Sequence, residues 1–341
     1  MKRREFIETS AKGILAASLM RNMSQAASIK AGGSDKLGAI LPTRPLAGTD
    51  DELTLLSVGG YHVGLVEERA SQAVIETALE EGVRFFDTAH SYQQGRAEER
   101  YGKFLCPKYR EHVFLMTKST AKTADDFQAE FDLSLKRMKT DYVDLLYIHS
   151  LSTIEDVDIR KRNGVFDKVR ELQAQRRVRH LGVSCHTHMT VARYFLEITR
   201  DDPFVCCFQT PVNSVDAGSP GNSFTTQVIP QVIRQGLSHI GMKSLAGGAL
   251  TGQKLASRDA KVERWPIPGD ISLEENFQFI LSQPITALVS GMETPDHVRQ
   301  NARIAREFVK LSDADKQRIV EKVAALQYYE DTRTEIYKTV I

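Results

Sequence analysis

The sequence predicts an α/β chain folded as a (β/α)8 barrel with an extra C-terminal helix. Three observations carry that reading. Eight short apolar runs rich in Val, Ile, Leu and Phe alternate with amphipathic helical stretches from Leu53 onward. Each run is separated from the next by a crossover, which calls for parallel pairing. The first run ends Ser57-Val58-Gly59-Gly60-Tyr61-His62 and lacks the Gly-x-Gly-x-x-Gly turn of an open dinucleotide-binding sheet.

Taken in order, the predicted strands are residues 53–58, 83–86, 113–117, 142–148, 178–183, 204–209, 239–242 and 286–289. Ala73, Val74, Thr77 and Ala78 mark the apolar face of a helix over 70–80. Phe127, Phe131, Leu135 and Met138 do the same over 125–138, and helices over 165–175, 187–198, 226–234 and 295–309 continue the alternation. After the eighth unit, Ser312-Asp313-Ala314-Asp315 caps a terminal helix over 311–326. The tail 328–341 is charged and aromatic, without a regular period.

Composition narrows the function classes. Hydrophobic residues at 41% and charged residues at 26% exclude a fibrous or disordered chain. Lys+Arg 45 against Asp+Glu 44 leaves no global field favouring nucleic acid or anionic lipid. Cys106, Cys185, Cys206 and Cys207 show no CxxC spacing, so a zinc knuckle or iron–sulfur cluster has no framework. No run of 18 apolar residues occurs, so no membrane span is expected.

The first residues read as an address. Lys2, Arg3 and Arg4 precede an apolar stretch over 13–20, and Ser24 and Ala26 supply the small residues of a cleavage site. Arg3-Arg4-Glu5-Phe6-Ile7 resembles a bacterial twin-arginine signal. The expected organisation is a leader over 1–26, a tether over 27–52 and a body over 53–341. The twin-arginine export machinery is then a partner, and the location is periplasmic or otherwise exported.

Functional groups of a barrel gather at the C-terminal ends of its strands. There the second, third and fourth runs stop at Asp87, Lys118 and His149, and Tyr92 follows Asp87 by five residues. A free tyrosine, with pKa ~10, is a poor acid at neutral pH. A nearby ammonium favours the phenolate and is expected to lower that value, while a carboxylate keeps the lysine charged and oriented. An imidazole beside them positions a substrate carbonyl. The set suits protonation of a carbonyl oxygen while a hydride reaches the carbon.

These residues resemble the tetrad of the aldo-keto reductases. Phe86-Asp87-Thr88-Ala89, with Tyr92, Gly95, Glu98 and Gly102, resembles that family's first signature, and the likeness runs over about 53–309. It implies a small-molecule carbonyl or alcohol substrate interconverted with NADP or NAD. It assigns Tyr92 as proton donor, Lys118 as its tuner, Asp87 as the lysine's partner and His149 as substrate orienter. It also implies Ser184, Cys185 and Gln209 at the nicotinamide carboxamide, with Cys185 where the family carries Asn. Thiols bond weakly, which puts more on Ser184 and Gln209. Met242, Lys243 and Leu245, in the segment running to Gly248, lie by the same resemblance under the nicotinamide and along the pyrophosphate. Gly291, Met292, His297, Gln300 and Asn301 form the adenosine segment.

Relatives favouring NADP place basic residues where this chain has Glu293 and His297, which adds weight to NAD. Rim loops select the substrate in this family. His62, Gln93-Gln94 and the segments 150–158 and 215–223 are polar here and point to a sugar-like carbonyl. Export in the folded state implies a nucleotide loaded beforehand and tightly held. Two other readings stand beside this one. His186-Thr187-His188, near His90, His149 and Cys185, resembles the His-x-His of zinc-dependent barrel hydrolases. A non-catalytic nucleotide-binding barrel that docks on a partner keeps the same tetrad.

Overall fold

Eight parallel strands close into a barrel in the computed structural model, which describes residues 28–219, 223–246, 250, 255–256, 263–264 and 271–324. The leader over 1–26, the tail over 328–341 and the positions of Gly247 and Gly248 lie outside the described residues. The barrel strands are β1 (Leu56–Gly59), β2 (Phe85–Asp87), β3 (Phe114–Ser119) and β4 (Val143–Leu151). β5 (Val178–Cys185), β6 (Cys207–Pro211), β7 (Ser238–Met242) and β8 (Ala287–Ser290) complete the ring, with β8 pairing β1 from Leu288↔Leu56 to Ser290↔Val58.

Strand residues alternate between the barrel interior and the helical jacket because successive side chains point to opposite faces. Phe85, Phe114, Met116, Leu145, Tyr147, Cys207, Ile240, Ala287 and Val289 form one buried inner cluster. Their neighbours Phe86, Leu115, Leu146, Ile148, Phe208 and Leu288 belong to the larger cluster under the helices. Gly182 is needed at the centre. A Cβ there would stand 2.0 Å from Tyr147 Cε1, so its absence admits the Tyr147 ring, whose hydroxyl lies 3.2 Å from Cys207 Sγ.

The segment 27–52 is not a tether where it is described. Ser34–Asp35 pairs with Gly38–Ala39, and Thr43–Pro45 pairs with Glu52–Thr54, both antiparallel. The predicted first strand therefore splits, its start turning back onto this hairpin and its end becoming β1. The barrel's lower mouth supplies the reason. Leu46 and Leu53 bury completely against the inner cluster and close it. Arg44, 3% exposed, donates to the carbonyls of Ile285 and Leu281, and Arg84 forks onto Asp35 at 2.8 and 2.9 Å. These contacts make the segment part of the folded body.

The predicted helices appear as Glu68–Glu80, Ala124–Met138, Val165–Ala174, Met189–Ile198, Pro295–Arg306 and Asp313–Ala324. The predicted 226–234 helix is a wider turn over Phe224–Val228 that continues as Ile229–Arg234. Thr123 and Thr294 cap two of these helices, accepting from the amides of Asp126 and His297. Helices Arg96–Phe104, Ile154–Arg162 and Leu273–Leu281 were not expected. The last opens with a capping box, Ser272 and Glu275, that the sequence does spell.

Candidate active site

The alternation that fills the barrel also builds its upper rim. Two residues beyond Phe85 stands Asp87, two beyond Met116 stands Lys118, and two beyond Tyr147 stands His149. By the same step Gly182 leads to Ser184, Cys207 to Gln209, Ile240 to Met242 and Val289 to Gly291. One layer of inward positions thus collects seven of the fifteen site residues expected from the sequence. Tyr92 arrives differently, from the turn Tyr92–Gly95, where Gln93 and Gln94 take φ of 51° and 60°. That turn is tied to β3, since the amides of Thr88 and His90 donate to the carbonyls of Met116 and Lys118. Arg137 holds it further, donating to His90 O and to Glu98, which accepts from Thr117 Oγ1 at 2.6 Å.

Lys118 is the hub. Its Nζ donates to Asp87 Oδ2 at 2.6 Å, to Thr88 O at 2.8 Å and to Tyr92 Oη at 3.2 Å. The Tyr92 ring meets the His149 ring edge-on, with centroids 5.7 Å apart. Arg160, paired with Asp156, donates to His149 O at 3.0 Å and fixes that end of β4. The tetrad expected from the sequence is therefore assembled in contact.

Burial governs its electrostatics. It raises the Asp87 carboxyl and lowers the Lys118 ammonium, and their contact opposes both shifts. The net shift at Tyr92 runs opposite to the one expected from Lys118 alone. Burial, then the Asp87 charge, push that phenol well above its ordinary range. Tyr92 consequently stays protonated, and Lys118 acts as a hydrogen-bond donor to its oxygen. Burial and the cations of Lys118, Arg160 and Lys243 carry His149 well below the ordinary imidazole value. It is neutral at physiological pH and can donate one N–H.

On the other side of the rim, Ser184 is buried, and its Oγ accepts from Ser150 N at 2.8 Å. Gln209 is 1% exposed, and its Oε1 has no hydrogen-bond partner among the described residues. Such an oxygen fits an amide N–H of a nicotinamide carboxamide. Met242, 7% exposed, faces inward, with Lys243 and Leu245 in the segment after it. Gly291 is packed so closely that a Cβ would fall 2.2 Å from the His62 ring. His297 and Gln300 are exposed on the helix Pro295–Arg306, while Asn301 is buried and donates to Ser290 Oγ at 3.1 Å.

Two expected cofactor residues face elsewhere. Cys185 follows the inward Ser184 and so points outward, fully buried in the jacket core, its Sγ donating to His188 O at 3.3 Å. Burial pushes that thiol up to about 11. Met292 is likewise fully buried in the jacket core, which leaves only its main chain for a ligand. The His-x-His pair is also split, with His186 buried and His188 exposed at the start of a helix. No group of three or more metal-ligating side chains gathers among the described residues.

Tyr61 enters the site without having been assigned there, and His62 and His186 enter it in contacts the sequence did not specify. Tyr61 packs edge-on against Tyr92, with centroids 5.5 Å apart. His62, expected only in a substrate loop, donates from Nδ1 to Glu293 at 2.9 Å and holds that carboxyl below its usual range. His186 packs against His149 at 5.4 Å. The signal for His186 was its parity with Ser184. Tyr61 and His62 follow β1, and Glu293 follows β8, so only barrel closure brings them together.

Comparison with known proteins agrees with this geometry. The model of the Aldo/keto reductase family matches residues 55–268. An uncharacterized oxidoreductase of Bacillus subtilis, YqkF, is 24% identical over 323 residues, which span 86% of this chain and 98% of that protein. A D-threo-aldose 1-dehydrogenase from a Pseudomonas species is 25% identical over 245 residues, 63% of this chain and 71% of that one. Among solved structures, the holo form of the aldo-keto reductase AKR11C1 from Bacillus halodurans superposes with a TM-score of 0.68 at 22% identity, covering 85% of this chain and 99% of its own. An aldo-keto reductase from Klebsiella pneumoniae in complex with NADPH does so at 0.64 and 18%, covering 82% and 95%. With a family model spanning most of its barrel and eight strands closing in the expected order, this chain belongs to the aldo/keto reductase family and is an oxidoreductase that uses NAD(P)H.

Proposed function

We propose that this oxidoreductase interconverts a carbonyl and an alcohol with Tyr92 as the proton donor. The observation that carries the reading is the buried chain Asp87–Lys118–Tyr92, with a neutral His149 beside the phenol. Bound NAD(P)H supplies the hydride. Ser184, Gln209 and Met242 would hold the nicotinamide end. The main chain at Gly291 and Met292, with Asn301, would hold the adenosine end.

In the reduction direction, the His149 N–H donates to the substrate carbonyl oxygen and orients it toward Tyr92. The Tyr92 hydroxyl passes its proton to that oxygen as charge builds there. The phenolate left behind keeps the hydrogen bond from Lys118 Nζ, and Asp87 holds the lysine in place. In oxidation the same proton returns to Tyr92. Arg303 is paired with Glu307 and Glu274, and Arg299 with Asp296, so acidic groups stand beside both arginines, which favours NAD. The polar rim supports a sugar-like substrate, and one relative's name, an aldose dehydrogenase, points the same way.

Replacing Tyr92 by Phe removes the proton and keeps the ring. Turnover should fall ~10²–10⁴-fold while coenzyme affinity stays within a few fold. Undiminished turnover would sink the assignment. We also infer export by a twin-arginine-type route from Arg3-Arg4-Glu5-Phe6-Ile7. Changing both arginines to lysine should leave the protein in the cytoplasmic fraction of a bacterial host, and an unchanged distribution would remove that inference.

A further inference from the structure

His186 has no part in the chemistry described so far, yet it is placed as deliberately as His149. It lies just beyond the end of β5, in phase with the inward Ser184, and is 6% exposed. Its ring meets that of His149 at 5.4 Å and 60°, continuing a row that begins with Tyr92. All four ring nitrogens of His149 and His186 are buried without a hydrogen-bond partner among the described residues. Buried polar atoms in that condition point to a ligand that completes them.

The surroundings limit what that ligand can be. Burial and the cations Lys243 and Lys118 hold His186 well below its ordinary value, so each imidazole offers one donor and one acceptor nitrogen. The same cations repel a metal ion, and Cys185 and His188, the ligating residues beside it in sequence, turn away. What fits is oxygen on a small organic molecule. Such an oxygen can lie ~2.9 Å from a His186 nitrogen. Tyr92 and the His149 N–H take the reacting carbonyl oxygen, so His186, beside His149, takes the next one along the substrate.

We propose that His186 is a substrate-positioning residue that holds an oxygen on the carbon adjacent to the reacting carbonyl, next to the carbonyl oxygen held by His149, so that the enzyme selects α-oxygenated carbonyls. This rests on the carbonyl-reductase reading above. A site whose buried polar groups are completed by a substrate hydroxyl discriminates strongly against the analogue lacking it.

Hydroxyacetone and butanone differ only by OH against CH3 next to the carbonyl and make the direct test. The wild-type kcat/KM should favour hydroxyacetone by ~10–100-fold. In His186→Leu that preference should collapse to within ~3-fold, mainly through KM for hydroxyacetone, with butanone turnover little changed. His186→Gln, which restores an amide donor, should recover part of the preference. A separate measurement needs no turnover: titration of the wild-type protein with hydroxyacetone should shift the ¹⁵N resonances of the His186 ring. Equal losses on both ketones in His186→Leu, a preference that survives the change, or unmoved His186 resonances would each overturn the proposal. Tyr92→Phe separates the two levels of the argument. It should lower both ketones alike and leave the resonance shift intact, so failure there, with His186 behaving as stated, counts against the proton donor and not against the positioning role.

Discussion

The two halves of the rim are built on opposite principles. From β2 to β4 the groups are tied to one another: Asp87 to Lys118, Lys118 to Tyr92, Arg137 to Glu98, Arg160 to Asp156. From β5 to β8 the inward polar groups include Gln209, whose buried oxygen has no partner among the described residues. Just past β5 stands His186, with both nitrogens in the same condition. The first half is a network of buried charges and hydrogen bonds already assembled by the chain. The second keeps buried polar atoms that have no partner among the described residues. His149 belongs to both, since its main chain is clamped by Arg160 while its ring nitrogens stay open.

The largest effect on this contrast should come from Lys118→Met. Removing one member of a buried ion pair leaves the other uncompensated, commonly at a cost of 3–5 kcal/mol. Here Asp87 relieves part of that cost by taking up a proton, since burial already raises its pKa. A stability loss of about 3 kcal/mol in urea unfolding is expected at neutral pH, with turnover falling at least ~10²-fold. A loss under about 1 kcal/mol would show that the first half is not held together by this pair.

Much of that first half was legible because it follows from strand periodicity alone. Asp87, Lys118 and His149 end three successive apolar runs, and a period of two places each above an inner-cluster residue. The second half was legible only in part. Ser184, Gln209 and Met242 obey the same rule, but Cys185 and Met292 were assigned by likeness to a motif, and burial among jacket residues takes their side chains out of the rim. The segment 27–52 was misread for another reason. Gly32, Gly33 and Pro42 are loop signals, whereas the burial of Leu46 and Arg44 depends on a barrel mouth formed by residues far along the chain. The sign of the Tyr92 shift was also beyond reach. A sequence shows that a lysine is near, but not that the phenol is buried deeply enough for desolvation to win.

A smaller effect belongs to the second half. Gln209→Leu removes the open acceptor while roughly preserving bulk. The coenzyme dissociation constant should rise ~10-fold, the worth of about one hydrogen bond. Quenching of protein fluorescence by added coenzyme reads this directly. Unfolding should change less than in Lys118→Met, because Gln209 contributes a hydrogen bond to Asp87 but no charge. If coenzyme affinity is unaltered, the vacant oxygen is not part of the cofactor surface and the division between the halves loses its main support.

The smallest effect should come from Cys185→Ser, and it separates motif from geometry. Read by likeness to Asn, Cys185 is the weak point of the carboxamide site, and a better hydrogen-bonding side chain there should tighten coenzyme binding. Read by parity, its Sγ faces the jacket and donates to His188 O, so a serine hydroxyl finds that same carbonyl and never meets the coenzyme. The dissociation constant should then change by less than ~2-fold, since no contact worth the ~0.4 kcal/mol of a twofold change is gained or lost. Stability should fall by about 1 kcal/mol, because a hydroxyl is costlier to bury than a thiol even when it makes one hydrogen bond. A clear gain in coenzyme affinity would place the side chain on the inner face and overturn the parity argument at the one strand end where it disagrees with the motif.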